Sequence, residues 1–83
     1  MNIKIHVDNM RDAERLSYLC NHYPYELYLR AGKFCADPKS TLGVLAMMYA
    51  DKTNLLLDTG DMPDEEFRKF SRSIADFVKE DAE

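Results

Sequence analysis

Ser40 follows Asp37-Pro38-Lys39 and stands ahead of the apolar run Thr41 to Ala50. A serine at the head of a helix accepts a hydrogen bond from a backbone N–H two or three residues on, and contributes about 1 kcal/mol as a cap. The same hydroxyl can carry a phosphate. A phosphate there faces unpaired N–H groups and the positive end of the helix, so charge is added without unfolding the domain. The other chemistry-bearing residues are less organised. His6 and His22 lack the paired spacing of a metal site and read as structural. Asp61, Asp64, Glu65 and Glu66 open a helix and complement its dipole; a catalytic carboxylate pair would need a cleft and a partner group. Tyr18, Tyr23, Tyr25 and Tyr28 read as packing. The expectation is a protein that is not an enzyme, with no metal and no cofactor.

The elements that position Ser40 follow from periodicity. Residues 2–8, NIKIHVD, alternate polar and apolar and read as a half-buried strand. Asn9 caps a first helix with Asp12 in its first turn, and Ala13, Leu16, Leu19 and Cys20 repeat at helical spacing. Pro24 ends that helix by Tyr23. ELYLRAGKFCAD, residues 26–37, reads as a β-hairpin turning near Gly32. Residues 40–50 form a second helix with Leu42, Leu45, Ala46 and Tyr49 on one stripe, and NLLLD, residues 54–58, a fourth strand. Asp61 and Pro63 start a third helix over residues 65–80, with Phe67, Phe70, Ile74, Phe77 and Val78 along one side. The last few residues are acidic and uncapped, and fraying is expected there.

The order is βαββαβα, and each strand is apolar on one face only. That pattern calls for an α+β fold: an open-faced β-sandwich, a four-stranded antiparallel sheet with three helices on one face. Tyr28, Leu56 and His6 fall on the open face. Eighty-three residues make a single domain, 1–83. Fifteen carboxylates against eleven Lys and Arg, the latter scattered singly, exclude a nucleic-acid footprint. No apolar run is long enough to span a bilayer, and the alternating N-terminus is not a secretory leader, so a cytoplasmic protein is expected. Cys20 and Cys35 lie in apolar patterns and are expected as reduced, packed thiols.

GKFCADPKSTLGVLAM, in this order of elements, resembles the central segment of the HPr phosphocarrier family, of the sugar phosphotransferase system. There a Gly-containing hairpin runs into Lys-Ser, then an apolar residue or two, Gly and an apolar helix. Lys39-Ser40 and Leu42-Gly43-Val44-Leu45 are the matching residues. The order of elements matches over the whole chain; the sequence matches best over residues 26–57. The family's Gly-x-His-Ala-Arg-Pro-Ala motif falls on Val7-Asp8-Asn9-Met10-Arg11-Asp12-Ala13. Its arginine and last alanine are kept as Arg11 and Ala13, while its phosphoacceptor histidine is replaced by Asn9. An amide is not nucleophilic at neutral pH, so the carrier reaction is expected to be lost.

The chain is thus similar to divergent HPr-like proteins of Gram-positive bacteria that keep the serine without the histidine. The resemblance implies that Ser40 is modified by an HPr kinase/phosphorylase and that the modified form binds a transcriptional regulator. It also implies that Arg11 and Lys39 contact a phosphate or a partner protein, and that Leu42, Leu45 and Met48 dock that partner. Two other readings stay open. One is an active phosphocarrier using His6 or His22. The other is a structural homodimer through the open sheet face; the expected state is a monomer or weak homodimer.

Overall fold

A computed structural model describes residues 1–79. The expected fraying at the chain end falls on residues 80–83, outside the described residues. The elements are β1 (Asn2–Lys4), α1 (Met10–Cys20), β2 (Tyr28–Ala31), β3 (Phe34–Ala36), α2 (Thr41–Ala50), β4 (Leu56–Asp58) and α3 (Asp64–Ser73), followed by a 3-10 turn, Ala75–Phe77. The sheet is antiparallel throughout, in the order β1-β4-β2-β3. The molecule is the expected α+β open-faced sandwich.

Register sets which side chains are buried. Ile3 pairs with Leu57, Leu57 with Leu29 and Leu29 with Ala36, so one row of small and aliphatic side chains crosses the whole sheet on its covered face. The helices bring Ala13, Leu16, Cys20, Val44, Met47, Met48 and Phe70 against it, joined by Ile74 just after α3. The next row lies on the open face: Lys4, Leu56, Arg30 and Cys35. One residue of slip would exchange the two rows, which is why alternation specifies the register. The hairpin turns on Gly32-Lys33. Gly32 has φ +60, and a glycine first in a two-residue loop suits the primed turn that matches strand twist.

Three expectations are corrected in detail. The first strand pairs with β4 only as far as Lys4; Ile5 and Val7 stay buried, but Ile5 bridges Val78 instead. The third helix stops at Ser73, although Ile74 and Phe77 remain in the core. The Phe77 carbonyl accepts from His6 N–H (2.8 Å) and Lys79 N–H donates to the Lys4 carbonyl (2.8 Å), so the chain leaves the helix to satisfy the first segment's open edge. Of the two thiols, Cys20 is buried and Cys35 is exposed on the open face, because the hairpin register turns it away from the helices.

Candidate functional site

Ser40 is the N-cap of α2. Its backbone is extended and its Oγ accepts from Gly43 N–H at 3.1 Å. The loop before it is built to hold that position. Asp37 Oδ1 accepts from Lys39 N–H (2.9 Å) and the Asp37 carbonyl from Ser40 N–H (3.0 Å). The Lys39 carbonyl accepts twice, from Ser17 Oγ (2.8 Å) and from Asn21 Nδ2 (2.9 Å), which ties the head of α2 to the last turns of α1. Gly43 permits the approach: a Cβ there would stand 2.9 Å from the Asp37 carbonyl oxygen. The Ser40 side chain itself is exposed.

Asn9 also serves as a cap. Its Oδ1 accepts from Asp12 N–H at 2.8 Å, and the Asp12 carboxylate accepts from Asp8 N–H at 3.2 Å. Arg11 is exposed in the first turn of α1. Ser40 is fixed beside Ser17 and Asn21, so Arg11 lies about 9–15 Å away along the helix axis at about 1.5 Å per residue. The structure therefore does not bring Arg11 to Ser40. Lys39 is half-buried and its ammonium donates to the Tyr23 carbonyl at 2.7 Å, which turns it toward the loop after α1.

The stripe Leu42, Leu45, Ala46, Tyr49 faces outward. Leu42 is 79% exposed and Tyr49 82%; Leu45 is half-buried at the edge of the core. Val44, Met47 and Met48 take the sheet-facing side. Met48, expected on the docking patch, is only 9% exposed and belongs to the core, because it lies one turn from Val44 on the inner side. Tyr49 takes its place on the outer face. No residue of α2 is charged. Beside the Ser40 loop runs a groove of about 490 Å³, walled by Tyr25, Tyr28, Cys35, Asp37 and Lys39.

His6 Nδ1 lies 3.2 Å from Asp8 Oδ2; His22 Nδ1 lies 2.9 Å from the Tyr18 carbonyl, its ring edge-on to Tyr18. Burial pushes the Cys20 thiol up to about 12, so it is a packed, protonated side chain. Among the described residues no group of three or more His, Cys, Asp or Glu converges as a metal site would require, and no helix is long and apolar enough to cross a membrane.

Two contributors escaped sequence reasoning: Ser17 and Asn21, whose hydrogen bonds anchor the α2 head. Ser17 sits at i+4 from Ala13 on the buried side of α1, and a buried hydroxyl there signals a partner to be found. The chain matches no family model, no curated protein and no solved structure.

Proposed function

We propose that this chain is a non-enzymatic, HPr-like interaction protein that docks a protein partner on the outer face of α2, with Ser40 at the head of that face as its control point. One observation carries the reading. An uncharged helix presents Leu42 and Tyr49 to solvent directly beyond an exposed serine whose hydroxyl already faces the helix N–H groups. Exposed large apolar side chains in a row mark protein interaction surfaces. A dianion placed at their rim changes what the surface attracts while its helix stays folded.

The partners the resemblance implies are an HPr kinase/phosphorylase and a transcriptional regulator that reads the modified form, in a bacterial cytoplasm. The histidine carrier reaction has no place in this proposal, because Asn9 is an amide engaged as a helix cap. Arg11 and Lys39 act on a partner from two separate places, not together on one phosphate.

The test is intact mass after incubation with an HPr kinase/phosphorylase and ATP, with Ser40→Ala alongside. One phosphate on the parent and none on the variant is the expected result. No phosphate on either reduces Ser40 to a cap and leaves docking through Leu42 and Tyr49 as a separate matter.

A further inference from the structure

We infer that the outer edge of β3 pairs with β3 of a second copy of this chain, antiparallel about a two-fold axis at Cys35, and so joins two sheets into one. This goes beyond the docking proposal and shares no residue with it.

The two edges of the sheet are treated differently. The β1 edge is covered by the end of the chain: His6 N–H donates to the Phe77 carbonyl and Lys79 N–H to the Lys4 carbonyl, both at 2.8 Å. β3 is the other outer strand, and among the described residues no strand lies beyond it. Protein sheets blunt such edges with lysine, proline or a bulge, because a row of unpaired N–H and C=O groups is a template for further pairing. Phe34-Cys35-Ala36 carries none of these devices, and its register with β2 is unbroken. Phe34 is 54% exposed, and Cys35 is exposed beside it.

Backbone alternation fixes which groups point outward. The hairpin loop has two residues, so Ala31 and Phe34 are the hydrogen-bonded pair that closes it. Arg30 and Cys35, the next pair, are not bonded to each other, and the Cys35 N–H and carbonyl point away from β2. Ala36 turns back toward Leu29. The middle residue of β3 thus offers one donor and one acceptor to a neighbouring strand. Two copies of it, face to face in antiparallel strands, satisfy each other with two hydrogen bonds.

Charge selects a second copy as the occupant. Residues 33–37 read basic, three uncharged, acidic: Lys33-Phe34-Cys35-Ala36-Asp37. Antiparallel pairing of this stretch with itself, centred on Cys35, sets Lys33 opposite the partner's Asp37 and Asp37 opposite the partner's Lys33. Opposite charges directly across an antiparallel pair attract. In-register parallel pairing would set like charge against like. Lys33 and Asp37 are both exposed, and Asp37 engages Lys39 N–H through Oδ1, which leaves Oδ2 for the ammonium. Phe34 falls opposite the partner's Ala36 in a non-hydrogen-bonded pair, where side chains come closest, so the exposed ring is covered. The contact is isologous and closes as a dimer. Five residues a side bury little area, so the dimer is weak and depends on concentration.

The experiment is sedimentation of the full chain from micromolar to millimolar concentration in a reducing buffer, with a short bis-maleimide cross-linker in a parallel arm. A rising dimer fraction is expected, together with a covalent dimer through Cys35, since Cys20 is buried. Cys35→Pro removes the outward N–H, which β2 does not use, and should abolish the dimer. Lys33→Glu keeps the thiol but sets acid against acid, and should weaken dimerisation by about threefold to tenfold with the amide NMR spectrum otherwise unchanged. Leu42→Lys and Leu56→Lys, on the α2 face and the open sheet face, should leave the dimer intact. Monomer mass at millimolar concentration with no cross-linked product would overturn the edge pairing. So would a dimer that Lys33→Glu leaves unaltered and that Leu42→Lys or Leu56→Lys dissociates.

Discussion

Asp58 shows how much one side chain on the open face can do. Its Oδ1 accepts from Gly60 N–H at 2.9 Å and its Oδ2 from Arg30 Nε at 3.2 Å, while Arg30 also lies over the Tyr28 ring at 5.3 Å. The Gly60 N–H and the Arg30 guanidinium hold the Asp58 carboxyl below the usual carboxylate range. A carboxyl depressed in the folded state contributes stability that is complete above its unfolded pKa of about 4. That contribution disappears as pH falls through the folded value. Asp58→Asn should therefore lower the urea midpoint at about pH 6 and leave it close to the parent's at about pH 2, the two curves converging as acid is added. Convergence near pH 6 instead would show that the charge on Asp58 adds nothing.

At the scale of elements, α2 separates what packing needs from what a partner needs. Val44, Met47 and Met48 are inside; Leu42 and Tyr49 are outside. Met48→Ala should cost about 2–5 kcal/mol in denaturant unfolding, as for other buried large-to-small changes. Leu42→Lys should shift stability by no more than about 0.5 kcal/mol while abolishing partner capture. Equal losses of stability would mean that both sides of the helix are buried in solution.

This is also where the sequence was least legible. The order of elements, the Asn9 and Ser40 caps and the Gly32 turn were all readable, because each rests on local chemistry. The inner side of α2 was not. Thr41 to Ala50 is apolar on nearly every side, so periodicity alone selects no face. The choice is made by the anchor at Lys39 and by Gly43 against the Asp37 carbonyl, contacts between residues distant in sequence or set by close approach. The premature end of α3 has the same origin. Its apolar spacing runs on to Val78, but the open edge at Lys4 and His6 captures Phe77 and Lys79. A tertiary hydrogen bond overrode a local pattern.

At the scale of the whole molecule, the open face carries charge of both signs among the described residues: Lys4, Arg30 and Lys79 share one row, and Asp58 on the next row pairs with Arg30. Two copies laid face to face through the open sheet would have to bury these charged groups, with half-buried Leu56 the apolar side chain between Lys4 and Arg30. Sedimentation of Cys35→Pro, its β3 edge blocked, should therefore give the monomer mass at high concentration. A dimer that survives Leu42→Lys and dissociates on Leu56→Lys would instead establish pairing through the sheet.

The double hydrogen bond on the Lys39 carbonyl has a kinetic consequence. The head of α2 is held by α1 before any partner arrives, so no segment there must be ordered on encounter. Association at this surface is a rigid-body collision, limited by diffusion and orientation. Changes to its outer side chains should then be read in how long a complex lasts, with arrival rates nearly constant across variants.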